Sequence, residues 1–278
     1  MKKDQLLTRR RALIGGVAAL GAAGGAGVLA LGRGDEPVPP VVPAAGPQAS
    51  PTRTPSAYRL QPFGGYDPPR AVPEPTRVRH EPFLRVSGRG RTMVLTFDDG
   101  PDPRYTPAIL DTLAEYEVRA MFFVCGEMAV DNQDLLARMA DEGHVVGNHT
   151  WSHPLLTRLT RARIRSEMKR TSDVIEEAYG ERPQWFRAPY GAWNRAAFQL
   201  GAEMGMEPLA WTVDTEDWTT PGTRTIVRRV AHGAAPGVVV LSHDAGGNRS
   251  QSVRALRRYL PYLLDSGYHI TVPRRHYA

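Results

Sequence analysis

From residue 93 to residue 272 the chain alternates short apolar runs with longer amphipathic segments, and that alternation restricts the fold more than any other feature. The strand-like runs are MVLTF (93–97), AMFFV (120–124), HVVGN (144–148), QWFRA (184–188), PLAWTV (208–213), VVVLS (238–242) and YHITV (268–272). Between them lie helix-like segments. One follows Thr106 as expected N-cap, with Pro107 at the first helical position and Ile109, Leu110, Leu113 and Tyr116 on one face. NQDLLARMADEG ends at Gly143, and a segment from about 160 to Tyr179 stops at Gly180, both glycines suiting a left-handed C-terminal cap. NRAAFQLGAEMG is the fourth, and SVRALRRYLPYLLDSG carries Pro261, which predicts a kink. Seven strands separated by helices predict an α/β fold around a parallel sheet, open or closed into a barrel.

Polar groups cluster where the strands end. Asp98 and Asp99 follow the first run in VLTFDDGPDP, and NHTWSHP after the third brings His149 and His153. FRAPYG carries Arg187, VDTEDW carries Asp214 and Asp217, and LSHDAG carries His243. Parallel α/β folds build their sites at the carboxyl ends of the strands. Each group also has a plain structural reading: Asp98-Asp99-Gly100 as a turn, the two histidines as surface residues, Arg187 as an ion-pair partner, His243-Asp244 as a helix-start cap. Five such groups on one rim fit a site better than five accidents. Adjacent carboxylates repel unless something positive lies beside them. A His-x-x-x-His spacing lets two imidazoles face one ion if the segment turns, and a carboxylate completes three ligands with a position open for water. A divalent cation beside one Asp, with an arginine or the ion itself offsetting the other, would explain the pair.

Composition separates the rest of the chain from this unit. Thirteen of the 24 prolines fall between Pro37 and Pro82, so residues 33–85 are expected to form an extended spacer. Residues 1–91 carry 14 Lys and Arg against 6 Asp and Glu, whereas residues 92–278 carry 21 against 23. The formal charge of +6 therefore belongs to the leader and spacer, and no nucleic-acid partner is expected for the folded part. TRRRALIGG from Thr8 places arginines directly before 21 uncharged residues (12–32), 14 of them Gly or Ala. Residues 1–32 thus read as an export signal of the twin-arginine type or as an N-terminal anchor, with membrane contact only through 12–32 if they are not cleaved. Either way the folded part is expected to be exported, to the outside of the cell or its wall. Cys125 is the only cysteine, so no internal disulfide forms, and its apolar surroundings suit inert packing.

TFDDGP, HTWSH, RAPYG, DTEDW and LSHD, in this order and spacing, resemble the five motifs of the polysaccharide deacetylase family, also called the NodB-homology family or carbohydrate esterase family four. The resemblance covers about residues 90–272 and makes 86–278 a single catalytic domain. It implies a distorted (β/α)7-type barrel and metal-dependent hydrolysis of N-acetyl groups on amino sugars, or of O-acetyl groups on some glycans. By the same resemblance Asp99, His149 and His153 hold one divalent ion, zinc first, with cobalt or nickel as substitutes. Asp98 is the general base, His243 the general acid, Asp217 the group keeping His243 charged, and Arg187 the partner of Asp98. Asp214 is a supporting residue that would anchor Arg187. Tyr190, through its backbone N–H, faces the oxyanion, and with Trp218 it walls the sugar and acetyl methyl. Trp151 is either a rim aromatic or packing. Ser242 stands where the family often has Leu or Met, a change expected at the rim of the acetyl pocket.

The substrate expected first is peptidoglycan, through N-acetylglucosamine or N-acetylmuramic acid, since an exported enzyme on a long spacer can stand off the membrane and reach the wall. Chitin or chitooligosaccharides come next, then acetylxylan, acted on by a monomer. Two rivals come from other classes. A wall-binding module with a disabled site conflicts with the complete set of ligands and proton-transfer residues, and a phosphoesterase would gather more carboxylates around two metals.

Overall fold

The computed structural model describes residues 74–87 and 90–273; the expected leader (1–32) and spacer residues 33–73 lie outside the described residues. In chain order the elements are β1 (Thr92–Asp98), α1 (Thr106–Glu115), β2 (Met121–Val124), α2 (Gly126–Asp131), α3 (Gln133–Asp141), β3 (Val145–Asn148), α4 (Arg161–Tyr179) and β4 (Trp185–Phe186). Then come α5 (Arg195–Glu203), β5 (Glu207–Pro208), β6 (Val213–Asp214), α6 (Thr223–Gly233), β7 (Val238–His243), α7 (Ser250–Asp265) and β8 (His269–Ile270). All strands pair in parallel, in the order β5-β4-β3-β2-β1-β7-β6, and β8 pairs with the start of β1 at Thr92 and Met93. The result is the expected α/β architecture, a distorted (β/α)7-type barrel. Among the described residues no helix is long and apolar enough to cross a membrane.

Period-two alternation sorts the residues of β1, β2 and β7 between an outer and an inner core. Met93, Leu95 and Phe97 of β1, Phe122 and Val124 of β2, and Val238 and Val240 of β7 face outward and pack under α1 and α7. Val94, Met121, Phe123, Trp185, Leu209 and Val239 face inward and fill the barrel. Each such fully buried side chain contributes about 1.5–3 kcal/mol relative to exposure. Gly147 in β3 makes room for this interior, since a Cβ there would lie 2.7 Å from the Phe123 ring. Inward parity continues along β1 to Thr96 and Asp98 and along β7 to His243, so the polar tips of otherwise apolar strands end at one mouth.

The fifth expected strand, 208–213, is corrected. It divides into β5 and β6, which lie at opposite edges of the sheet, β5 on β4 and β6 on β7. One segment therefore spans the gap of the barrel. Its middle leaves the ladder because the Arg187 side chain takes the carbonyls of Leu209 and Ala210, at 3.0 Å each. Residues 82–86 run along this side too: Phe83 pairs with Leu209, and Arg85 with Val238. Upstream, the Thr76 N–H reaches Ala202 O, and Arg79 pairs with Glu207.

The expected glycines after α3 and α4 are left-handed, Gly143 at φ 73° and Gly180 at φ 92°. Two N-caps add to the expected set: Thr160 accepts from Arg163 N at the start of α4, and Asn194 caps α5 through Ala197 N. Thr106 is not the expected cap. It is the first residue of α1, and its hydroxyl accepts from Asp102 N and donates to Asp244 instead of capping. Helices α2 and α6 add to the expected set, and α7 continues through Pro261 to Asp265.

Candidate active site

Asp98 is the last residue of β1, inward by parity and 2% exposed. Its neighbour Asp99 would face outward on a continuing strand. At φ 78° the chain instead turns, and the Asp99 carboxylate swings back over the mouth. Register with β7 places Asp98 beside His243, and register with β2 places it beside Phe123.

Beneath them Arg187 is completely buried. Its guanidinium donates to Asp98 Oδ1 and Thr96 Oγ1, both at 2.7 Å, and lies 4.1 Å from the centre of the Phe123 ring. Thr96 in turn donates to Val240 O. Burial pushes the Arg187 pKa down and the Asp98 charge opposes this, but a guanidinium stays protonated in proteins. Asp98 is therefore an oriented carboxylate with one oxygen fixed by Arg187 and the other turned to the mouth, 3.7 Å from His149 Nε2.

Asp99, His149 and His153 form the one group of three His, Cys, Asp or Glu side chains among the described residues whose ligand atoms converge, all within 4.8 Å of one another. Asp99 Oδ1 lies 3.5 Å from His149 Nε2 and 3.3 Å from His153 Nε2, and this buried oxygen has no hydrogen-bond partner. For bonds of about 2.0–2.1 Å in a tetrahedron, ligands stand roughly 3.3–3.4 Å apart. The donor set, the spacing and the orphaned oxygen fit one small divalent cation with an open position. His149 Nδ1 bonds Arg187 O at 2.8 Å, which leaves Nε2 with its lone pair toward the cluster. Burial would raise the Asp99 pKa, but the imidazoles gathered around it, His149 first and then His243 and His153, hold it well below the usual carboxylate range. Burial and the neighbouring His149 push the His153 imidazole down, which keeps it neutral and able to act as a ligand.

His243 closes the mouth on the β7 side. Its Nδ1 lies 2.7 Å from Asp217 Oδ1, and its backbone N–H donates to Asp217 Oδ2, which also accepts from Ser252 Oγ of α7. Burial alone would lower the His243 pKa; the Asp217 hydrogen bond and charge, with Asp99 and Asp98 behind, raise it to about 9. Asp217 moves the opposite way, with burial more than offset by His243 and Ser252. The mouth thus combines a carboxylate set on arginine, a charged imidazole and a cation-ready cluster, which is the equipment for base- and acid-assisted hydrolysis.

The remaining expected residues lie around this centre. Tyr190, at φ 61° in a turn after β4, is 57% exposed, and its ring stands edge-on to His153 with centroids 4.5 Å apart. Trp218 is 40% exposed in the turn Asp217–Thr219. Asp214 accepts from Glu216 N and reaches Arg187 as a charge, whereas the Arg187 hydrogen bonds go to Asp98, Thr96, Leu209 and Ala210. Trp151 is packing as well as rim, with Arg170 3.7 Å over its ring. Ser242 is buried, and strand parity with Val238 and Val240 turns it to the helix layer and not the acetyl pocket. Two buried polar residues were missed. Thr96 was legible as a polar residue at an inward position of β1, two before Asp98. Asp244 gave only its adjacency to His243. Its carboxyl accepts from Thr106 Oγ1 and sits against Gly100, where a Cβ would come within 2.2 Å. Burial pushes the Asp244 pKa up to about 7, the Thr106 bond opposing and the charges of Asp99 and Asp98 adding to the rise.

Residues 85–209 match the family model described as polysaccharide deacetylase. A chitooligosaccharide deacetylase of Rhizobium leguminosarum bv. trifolii is 38% identical over 202 residues, covering 69% of this chain and 94% of that protein. A peptidoglycan-N-acetylglucosamine deacetylase of Bacillus cereus is 38% identical over 190 residues, covering 66% of this chain and 86% of that protein. The solved structure of the Bc1960 peptidoglycan N-acetylglucosamine deacetylase matches with a TM-score of 0.65 at 34% identity, over 69% of this chain and 94% of that one. With relatives of this identity covered almost whole, this chain belongs to the polysaccharide deacetylase family.

Proposed function

We propose that this deacetylase uses one divalent ion, zinc in the native enzyme, to remove N-acetyl groups from N-acetylglucosamine units of peptidoglycan. The observation that carries the reading is the Asp99–His149–His153 cluster with its orphaned buried oxygen, set between Asp98 on Arg187 and His243 on Asp217. A bound ion supplies Lewis acidity toward the acetyl carbonyl and lowers the pKa of a water at the open position. Asp98 takes a proton from the attacking water, while Arg187 holds its other oxygen. A C–O bond forms as the acetyl C–N bond breaks. His243, charged through Asp217, gives a proton to the departing nitrogen, so that acetate and a free amino sugar leave. The backbone N–H of Tyr190 is assigned to the developing oxyanion, and the exposed rings of Tyr190 and Trp218 to the sugar face. The enzyme acts as a monomer and outside the cytoplasm; the arginine-led apolar segment 8–32 and the Pro-rich stretch after it support the export.

The 94% coverage of a rhizobial relative favours a second reading, a soluble chitooligosaccharide as substrate. Both substrates share the N-acetylglucosamine unit, so the chemistry is common and only the polymer differs. Acetate release is to be measured on peptidoglycan, chitooligosaccharides and acetylxylan, before and after chelation and after added Zn²⁺ or Co²⁺. Release from peptidoglycan that chelation abolishes and metal restores is expected. Full activity in verified metal-free protein would overturn the metal reading, and release confined to chitooligosaccharides would replace the substrate.

A further inference from the structure

Two of the three candidate metal ligands sit on a segment that does not hold its own shape. After β3 the chain runs from His149 to His153 with Thr150 and His153 at φ 71° and 55°. This left-handed region is sparsely populated, least of all by a β-branched residue such as Thr, and persists only where the surroundings over-determine it. The three amides after His149 have no backbone acceptor; side chains take them all. Thr150 N donates to Asn148 Oδ1 at 2.8 Å. Trp151 N and Ser152 N both donate to Glu167 Oε2, at 3.0 and 2.9 Å, and Ser152 Oγ lies 3.2 Å from each Glu167 oxygen. On the other side Gly126 N and Glu127 N, at the start of α2, donate to the carbonyls of Thr150 and Trp151.

Glu167 is 7% exposed and forms no ion pair among the described residues. A buried carboxylate without a cation is costly unless several donors satisfy it. Here the donors belong to the ligand-bearing turn alone. The helix that carries it is anchored next to the same turn, since Asn148 Nδ2 donates to Met168 O and Ser172 Oγ of α4. We infer that Glu167 is a positioning residue for the metal centre: by fixing the amides of Trp151 and Ser152 it sets the separation and aim of His149 and His153, and so the affinity for the divalent ion. The inference rests on reading Asp99, His149 and His153 as ligands.

The test compares wild-type protein with Glu167→Ala, Glu167→Gln and Glu167→Asp. Zn²⁺ affinity is read by competition with a chromogenic chelator, and amide exchange at Trp151 and Ser152 is read in metal-free protein. Gln keeps an oxygen where Oε2 accepts both amides, so its affinity should stay within about threefold of wild type. Ala should lose about 10–100-fold, the range for partners that orient metal ligands. Asp, one methylene shorter, should fall between the two, and it carries the test if Ala does not fold. Exchange at the two amides should rise in Ala and Asp but not in Gln, while far-ultraviolet circular dichroism remains that of wild type. Wild-type affinity in Asp or Ala would overturn the inference, as would equal losses in Gln and Ala, which would make charge and not geometry the cause. If wild-type protein binds no divalent ion, the ligand reading fails on its own and the affinity claim falls with it. Unchanged amide exchange in Ala alongside normal wild-type binding would refute the clamp alone.

Discussion

Replacing Asp217 by Asn should move the alkaline limit of activity. The Asp217 carboxylate, 2.7 Å from His243 Nδ1, is the main contact that raises the imidazole against the effect of burial, to about 9 from an ordinary 6.5. At about 1.36 kcal/mol per pKa unit the rise corresponds to roughly 3 kcal/mol of preference for the charged ring. His243 is raised in the folded state, so this stabilisation is fully present below about pH 6.5 and is lost as the pH climbs through about 9. The asparagine side chain keeps the size and one acceptor oxygen but not the charge, and burial is then opposed only by the more distant charges of Asp99 and Asp98. The ring should return to its ordinary value or lower. At pH 7 the charged fraction would drop from nearly all to about a quarter or less, by the ordinary titration of imidazole. The assay is kcat across pH 5–10 for both proteins with saturating metal, together with thermal stability at pH 7 and pH 10. The alkaline limb of kcat should shift down by about two pH units, and the stability that wild type loses between pH 7 and pH 10 should be largely missing already at pH 7. An alkaline limb that stays near 9 in the Asp217→Asn protein would refute the reasoning, because the charge on His243 would then have another source.

The two adjacent aspartates should separate. Asp98→Asn should keep the metal and lose about 10²–10⁴-fold in turnover, whereas Asp99→Asn should lose metal first and recover part of its activity in excess zinc; zinc content and acetate release on both variants check this, and a reversed pattern would exchange the roles. Arg187→Met should leave Asp98 as a buried charge without its partner and cost about 3–5 kcal/mol, read by urea denaturation. Replacing Arg9 and Arg10 by Lys should keep the protein in the cytoplasm, as fractionation and immunoblotting would show; normal export would exclude the twin-arginine route.

Much of the fold was legible because burial is periodic. The inward positions 94, 96 and 98 of β1 and 239, 241 and 243 of β7 follow from strand parity alone, and the apolar runs located six of the seven expected strands. PLAWTV failed for a physical reason. It has the composition of a strand, but its central carbonyls are taken by the Arg187 guanidinium and not by a neighbouring backbone. No local pattern reveals a side chain that substitutes for a ladder from 22 residues away. Helix α6 was within reach, since Ile226 and Val230 are its buried i, i+4 pair, but the many polar residues around them mask the period.

The site shows the same division. The residues at its centre stand in short contiguous motifs, because chemistry at the carboxyl ends of strands needs side chains on the turns directly after them. What holds those turns is remote: Ser252 behind Asp217, Asp244 under Gly100, and Arg187 between two strand edges. Arg187 explains why such support is hard to read one function at a time. It is the counter-charge of Asp98, the replacement for backbone bonding across the gap of the barrel, and, through its carbonyl, the acceptor that orients His149. A lysine could serve the first role but not the second, which needs several donors in a fixed plane. The gap between the two sheet edges is thus bridged by the same residue that sets the base, so the shape of the barrel and the geometry of its site vary together.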